Sequence, residues 1–367
     1  MHDVIVVGAG VVGLAHALAA ARRGKRVLVI DRDAQSNGAS IRNFGFVTVT
    51  GQERRRVWDL ARRSARTWRE IAGPAGIRIE QEGFLLVAQR EEAAAVIDAF
   101  LATEMGEGCE RLSADEVAVR LPGAPQATGG LFSPHDLRVE SRVAIPLLAA
   151  WLEKAHGVTF LRGVAVLHAE TGRVHCTDGD HRADTIFLCP GDDWATLHPE
   201  IYAEAGIRRC KLQMLRLAAP GWRLPAPVMA DLSMVRYLGY SDLGEAAALR
   251  SRLEREESEA LRYGIHLIAV QSADGSLVVG DSHDYAATPD PFSAQAIDAE
   301  MLRQYEAVLG AAPPVIERWT GTYASADGHS IVQTPMDGVT LTVVTSGTGA
   351  STSFALAEDV VGGIFDS

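Results

Sequence analysis

Short unbroken apolar runs and longer amphipathic stretches alternate along this chain, and their order predicts its architecture. Val4 to Val7 is an apolar run of strand length that leads straight into Gly8-Ala9-Gly10-Val11-Val12-Gly13. An Ala-rich helical stretch, Leu14 to Arg23, is stopped by Gly24, and a second apolar run, Val27 to Ile30, ends on Asp31. Strand, glycine turn, helix and strand make a βαβ unit, in which buried parallel strands read as continuous rather than alternating apolar residues.

Farther along, 36–52 reads as a polar loop and 53–72 as an Arg-rich amphipathic helix with Val57, Leu60, Trp68 and Ile71 on one side. Phe84 to Ala88 predicts a strand, Glu91 to Met105 a helix, and Leu112 to Leu121 a short helix capped by Ser113. Gly123 to Asp136, rich in Gly and Pro, reads as a crossing between domains. A helix is predicted from Glu140 to His156, then short strands and turns, then an apolar strand from Asp184 that runs into Pro190-Gly191 and returns to the first sheet. Between 206 and 285, short or alternating runs at Lys211–Leu217, Val235–Tyr240, Ile265–Val270 and Leu277–Gly280 predict an antiparallel sheet. Helix Ser293–Leu309, strands Trp319–Ala324 and Val339–Thr345, and a closing helix Thr352–Ile364 complete the pattern.

The expected class is α/β, α+β overall: a Rossmann-type nucleotide-binding domain with a parallel sheet, plus an antiparallel-sheet substrate domain. The expected division gives 1–80, 137–205 and 319–367 to the first domain and 81–136 and 206–318 to the second. A length of 367 residues agrees with two domains. The balance of 47% hydrophobic and 22% charged residues is that of a globular protein, and a net charge of −12 weighs against nucleic acid or an anionic membrane as partner. A local basic pocket could still take an anionic small molecule. The first strand starts almost at once, leaving no room for a signal peptide, and no apolar run reaches the roughly eighteen residues that span a bilayer, so the cytoplasm is expected. Cys109, Cys176, Cys189 and Cys210 lack CxxC spacing, which points to free thiols rather than a zinc ribbon or redox disulfide.

The glycine spacing has a mechanical reading. Gly8 allows the tight turn off the strand, Gly10 lets backbone N–H groups approach a pyrophosphate, and Gly13 lets the helix pack on the sheet. Asp31 is placed to accept from an adenosine ribose. At the far end, Ser346-Gly347-Thr348-Gly349-Ala350-Ser351 joins a strand to a helix, so it would aim unpaired N–H groups and the positive helix end at a ligand.

Together these segments resemble the FAD-dependent D-amino-acid oxidase superfamily, in its glycine oxidase and sarcosine oxidase branch. The likeness spans nearly the full length: the opening glycines with Asp31, the loop Gly38-Ala39-Ser40-Ile41-Arg42-Asn43-Phe44-Gly45, the strand end Leu188 to Trp194, Asp327-Gly328, and the closing glycine turn. More narrowly, Arg42-Asn43-Phe44-Gly45, Lys211-Leu212-Gln213-Met214-Leu215 and Gly280-Asp281-Ser282-His283-Asp284-Tyr285 resemble a subgroup associated with aminophosphonate breakdown. The resemblance implies non-covalent FAD. It places Ser40, Asn43, Phe44 and Gly45 along the pyrophosphate and flavin, Val164 at the adenine, Gly191 at the nucleotide, and Gly347, Thr348, Gly349, Ala350, Ser351 and Thr352 over the flavin. Gly8, Gly10, Val12, Gly13, Asp31, Arg32 and Trp194 complete the implied cofactor set.

Two departures bear on the substrate. Where the glycine oxidase branch carries an arginine that clamps an α-carboxylate, this chain reads Gly321-Thr322-Tyr323, and where sarcosine oxidases carry an oxygen-activating lysine it has Val278. An amine bearing a phosphonate would fit, since a tetrahedral dianion needs several donors rather than one fork. Arg42, Lys211, Tyr240, His283 and Tyr323 are the candidates; His283 is the first choice for a base because an ordinary histidine titrates near working pH. On sequence alone Lys211 reads equally as a strand-end charge, Tyr240 and Tyr323 as core caps, and His266 and His329 as structural. The implied chemistry is hydride transfer from the carbon bearing nitrogen, with oxygen or a carrier as final acceptor and oligomerisation left open. Competing readings are a glycine, sarcosine or D-amino-acid oxidase, an NADPH-dependent flavin monooxygenase suggested by Gly280-Asp281-Ser282-His283, and a flavin-binding subunit without turnover.

Overall fold

Alternation of side chains across one sheet explains the first apolar runs. In the computed structural model, which describes residues 2–125 and 127–366, Val4, Val6, Val27 and Val29 point into one core while Ile5, Val7, Leu28 and Ile30 point into another on the opposite face. A sheet covered on both sides needs no polar face, which is why these strands carry none. Its six strands run in the order Ser330–Met336, Val339–Val344, Thr185–Leu188, Val4–Val7, Val27–Asp31, Thr159–Arg162, parallel except for the outermost antiparallel pair. One face is covered by helices, with Val11–Arg22 packed against Gly349–Phe365 and Ser141–His156. A three-stranded meander, Val166–Glu170, Arg173–Cys176 and Gly179–Arg182, lies over the other.

A second sheet of ten strands has the path Asp284–Ala286, Arg208–Leu217, Leu277–Gly280, Ile268–Gln271, Val228–Ala230, Ile79–Ala88, Gly129–Val139, Phe46–Val47. Val315–Ser325 adds to Arg208–Leu217, and Glu110–Leu112 adds to Gly129–Val139. Its pairings are antiparallel apart from Val228–Ala230 on Ile79–Ala88. The α/β expectation with a parallel and a largely antiparallel sheet holds. The expected domain division cuts through strands Ile79–Ala88, Gly129–Val139 and Val315–Ser325, and Phe46–Val47 pairs in the larger sheet.

Local readings that depend on one amphipathic face stand: helix Arg56–Ala72 buries Val57, Leu60, Trp68 and Ile71, and Ser113 closes a capping box with Glu116 at the start of Ala114–Arg120. Two others change. The Gly/Pro-rich stretch taken for a crossing contains the long strand Gly129–Val139, where a Cβ on Gly130 would come within 2.8 Å of the Leu86 carbonyl oxygen. Its glycines serve close approach to the neighbouring strand rather than a linker. The run Val235–Tyr240, read as a strand, is instead the junction of two short helices, Asp231–Met234 and Leu238–Ser241, because Ser233 O accepts from Tyr237 N at 2.9 Å and closes a turn. The helix expected to Met105 ends at Leu101, and a 3₁₀ turn follows at Glu104–Gly106. All four cysteines are free, and no described helix is long and apolar enough to cross a membrane.

Candidate functional site

Between the two large sheets lies a cavity of about 600 Å³, lined from one side by the opening and closing glycine turns and from the other by the larger sheet. On the first side the turn geometry follows from contact. Gly8 sits at φ +102°, and a Cβ there would strike the Cys189 carbonyl oxygen; a Cβ on Gly13 would strike the carbonyl oxygen of Gly8. The helix is thereby held close to the strand, with Gly10, Val11 and Val12 facing the cavity. Ser40 Oγ accepts from Val11 N at 2.9 Å, tying the 39–45 loop to this turn. Asn43 braces that loop, donating to Ala39 O at 2.7 Å and accepting from Gly45 N at 2.6 Å and Ser141 Oγ at 2.7 Å.

The closing turn is anchored from the same region. Trp68 Nε1 donates to Ala350 O at 2.8 Å, and Thr48 N donates to Ser351 Oγ at 2.8 Å. His329, read from sequence as structural, does hold this turn, with Nε2 at 3.0 Å from Thr352 Oγ1. Gly347, at φ +74°, leaves room for the Tyr323 ring, which a Cβ would approach to 3.0 Å. Two helix starts and two glycine turns therefore present backbone N–H groups to one space, a donor set suited to a pyrophosphate and an electron-rich ring edge.

Of the residues expected at the cofactor, Gly10, Val12, Ser40, Asn43, Phe44, Gly191, Gly347, Thr348, Gly349, Ala350 and Ser351 line the cavity. Gly8, Gly13, Gly45 and Thr352 shape its walls from behind. Asp31 accepts from Ala9 N at 2.6 Å and Asp33 N at 2.8 Å, so its carboxylate also fixes the opening turn. Beyond the cavity, Val164 N donates to Asp31 O at 3.1 Å, Arg32 pairs with Asp193 at 2.5 Å, and Trp194 stacks under Arg209 at 4.0 Å.

The expected chemistry residues separate sharply. Tyr323, His283 and Arg42 line the cavity, Arg42 donating to Asn37 Oδ1 at 3.0 Å. Lys211 does not: its Nζ donates to the carbonyls of Asp290 and Phe292 at 2.6 and 2.7 Å and staples that loop to the sheet. Nor does Tyr240, which is fully buried, with its ring 4.7 Å from that of Phe100 and its hydroxyl without a partner. Both are core or loop supports rather than site residues.

Four residues not assigned to the site from sequence complete the wall. Arg236 enters from the turn between the two short helices and donates to Tyr285 Oη at 2.9 Å, yet among the described residues no carboxylate lies within ion-pair distance of it. Strand register explains its neighbours: Tyr285 and Tyr323 both oppose Cys210, from either side of Arg208–Leu217, and so share one face of the sheet. His266, read as structural, and Asp281 also reach the cavity, where Asp281 Oδ1 is 3.1 Å from His266 Nε2 and Oδ2 is 3.7 Å from His283 Nε2. An arginine inside an apolar run, Val235-Arg236-Tyr237-Leu238, was the available signal for the first.

Burial sets the electrostatics. It pulls His283 down to about 3 against the opposing pull of Asp281, and it lowers His266. The argument for His283 as a base from its ordinary titration therefore does not carry into this site. Burial also disfavours the Asp281 carboxylate, but His283, His266 and Arg236 outweigh it and hold the group below the usual range. Tyr323 is raised well above its ordinary value by burial, so its hydroxyl stays protonated and available as a donor.

A search of curated proteins gives no match. Among solved structures, glycine oxidase from Geobacillus kaustophilus is similar with a TM-score of 0.77 at 18% identity, over 98% of this chain and 94% of that one. L-proline dehydrogenase from P. horikoshii is similar with a TM-score of 0.78 at 17% identity, over 99% and 93%. Iminodiacetate oxidase from Chelativorans sp. BNC1 gives 0.72 at 19%, over 99% and 95%. At these identities the likeness is one of fold. The family described as FAD dependent oxidoreductase matches residues 3–362, which takes in both glycine turns and the whole cavity between them. With a cradle of backbone donors that added Cβ atoms would obstruct, the chain belongs to that family and is an FAD-dependent oxidoreductase.

Proposed function

We propose that this enzyme oxidises the C–N bond of a small primary or N-methyl amine bearing an acidic group, an aminophosphonate such as 2-aminoethylphosphonate or its N-methyl derivative. The observation that carries this reading is Arg236, a guanidinium facing the cavity without an ion-pair partner among the described residues. Asp281 acts on this charge only from beyond ion-pair distance, so a direct anionic contact to the guanidinium is left for a ligand to supply. Tyr285 and Tyr323 flank it with hydroxyl groups, giving several donors around one anion rather than a single fork.

Bound FAD would supply the two-electron oxidation, as the acceptor for a hydride from the carbon bearing nitrogen. The protein's part is placement: Arg236, Tyr285 and Tyr323 would hold the acidic end, while the turn at Gly347–Ser351 would hold the flavin with backbone N–H groups suited to negative charge. The product imine takes up water to give a carbonyl compound and an amine, and the electrons leave to oxygen or a carrier. In this reading the cofactor residues named from the resemblance hold FAD without a covalent bond. We assign 1–80, 137–205 and 319–367 to the cofactor half and 81–136 and 206–318 to the substrate half, in the cytoplasm.

The test is anaerobic reduction of the bound flavin by glycine, sarcosine, D-alanine, 2-aminoethylphosphonate and its N-methyl derivative. The phosphonates are expected to bleach it fastest. Faster bleaching by glycine, sarcosine or D-alanine would favour an α-carboxylate on Arg236, the reading suggested by the glycine oxidase fold. Rapid bleaching by NADPH without an amine would favour a monooxygenase and sink the proposal.

A further inference from the structure

The side chains of His266, Asp281 and His283 offer ligand atoms that all lie within 4.8 Å of one another, in the wall of the cavity. Their hydrogen-bond pattern leaves a gap where they meet. His283 Nδ1 lies 2.8 Å from the Gly264 carbonyl oxygen, which can only accept, so that nitrogen carries the proton and the neutral ring presents a bare lone pair at Nε2. Ser233 Oγ gives its single proton to His266 O at 2.8 Å and so can only accept from His266 Nδ1, 3.4 Å away. His266 Nε2 is then bare as well.

Both bare nitrogens face the Asp281 carboxylate. Asp281 is 5% exposed, and its Oδ1 receives no hydrogen bond even though His266 Nε2 is only 3.1 Å away. Arg236 adds positive charge at a distance but makes no contact with it, since that guanidinium is turned to Tyr285 at 2.9 Å. With the rings in these tautomers three electron-pair donors converge on one point, where a positive centre would complete them.

Spacing identifies which kind. Ligands about 2.1 Å from a tetrahedral metal ion stand about 3.4 Å apart, whereas acceptors around an ammonium, each about 2.9 Å from nitrogen, would stand about 4.7 Å apart. The observed carboxylate–imidazole separations, 3.1 Å from Asp281 Oδ1 to His266 Nε2 and 3.7 Å from Oδ2 to His283 Nε2, bracket the first value, and one ligand atom from each residue lies within 4.8 Å of the other two. We propose that His266 Nε2, Asp281 and His283 Nε2 form a three-ligand site for a divalent transition-metal ion, with its remaining coordination open to the cavity. Two imidazoles and a carboxylate suit zinc or iron(II). Gly264 O and Ser233 Oγ are the outer partners that fix the two rings. The open position takes water or an anionic oxygen of a bound molecule.

The experiment uses the flavin-loaded full chain after dialysis against a chelator, with Zn²⁺ as the probe, followed by calorimetry and elemental analysis. One equivalent of Zn²⁺ is expected to bind. Asp281→Asn should weaken it at least a hundredfold, and Ser233→Ala, a milder change, about tenfold. Cys176→Ser should leave it unchanged, which separates this site from the Cys176, Asp178 and His181 group on the meander. No stoichiometric uptake, binding that survives Asp281→Asn, or binding lost in Cys176→Ser would overturn the assignment. So would a chelator-treated protein in which Asp281→Asn abolishes amine binding while Zn²⁺ never binds, since the cluster would then hold an ammonium. The readout needs no amine turnover, so a failed substrate panel leaves it standing.

Discussion

Arg236 and Tyr240 are four positions apart, and the structure gives them opposite roles. Replacing Arg236 with alanine removes a charged donor from the cavity and should lower kcat/KM for an acidic amine about a hundredfold, with flavin content unchanged. Arg236→Lys should recover only part, because an ammonium restores charge but not the fork. An unchanged kcat/KM in Arg236→Ala would contradict the proposed anion contact. Tyr240→Phe should leave turnover unaltered and raise stability by about 1 kcal/mol in chemical denaturation, since it deletes a buried hydroxyl that has no partner. A large loss of activity would return Tyr240 to the site. From sequence the two residues could not be sorted, because a polar residue in an apolar run carries no mark of whether it meets a cavity or a core.

At the scale of elements, what could be read was what neighbours in sequence determine. The βαβ unit was legible because Gly13 answers to Gly8 and Val6 a few residues back, although Gly8 itself faces the distant Cys189, and the Ser113 cap because its partner is Glu116. The turn carrying Arg236 was not, since beside the local bond from Tyr237 N to Ser233 O it is tied by Gly239 N to Gly51 O at 3.0 Å, a contact far off in the chain. Nor was the meeting of Tyr285 with Tyr323 across Cys210, which depends on register. The helix Val11–Arg22 also holds an acid-sensitive group: His16 is fully buried, 5.1 Å from the Phe187 ring, and burial pulls it down to about 4. Unfolded, it titrates near its ordinary 6.5, so as pH falls the unfolded chain takes up the proton first. Its contribution is complete above about pH 6.5 and is lost between there and about pH 4. His16→Leu should therefore reduce the acid loss of stability over that window by up to about 3 kcal/mol, measured as unfolding free energy against pH. Equal slopes for the two proteins would refute it.

For the whole molecule, Arg138 is the joint between site and sheet. It is fully buried, donating to Phe44 O at 3.1 Å, Gln271 O at 3.2 Å and Ser272 Oγ at 3.2 Å, and pairing with Glu140 at 2.9 Å. Arg138→Met should cost about 3 kcal/mol in denaturant midpoint experiments, because two carbonyls and a carboxylate lose a shared donor inside the protein. It should also loosen flavin binding through the loop that follows Phe44. A variant as stable as the parent would show that Arg216, 3.5 Å from Glu140, takes over the load.

The cross-chain ties of the closing turn have a consequence for biosynthesis. Thr48 N–H and the Trp68 indole find their acceptors on Ser351 and Ala350, which lie 303 and 282 residues farther along and leave the ribosome correspondingly later. Until then the nascent chain carries those donors uncapped, so the chamber closes only once the closing turn has been made, and the interval before it is when a chaperone would be needed.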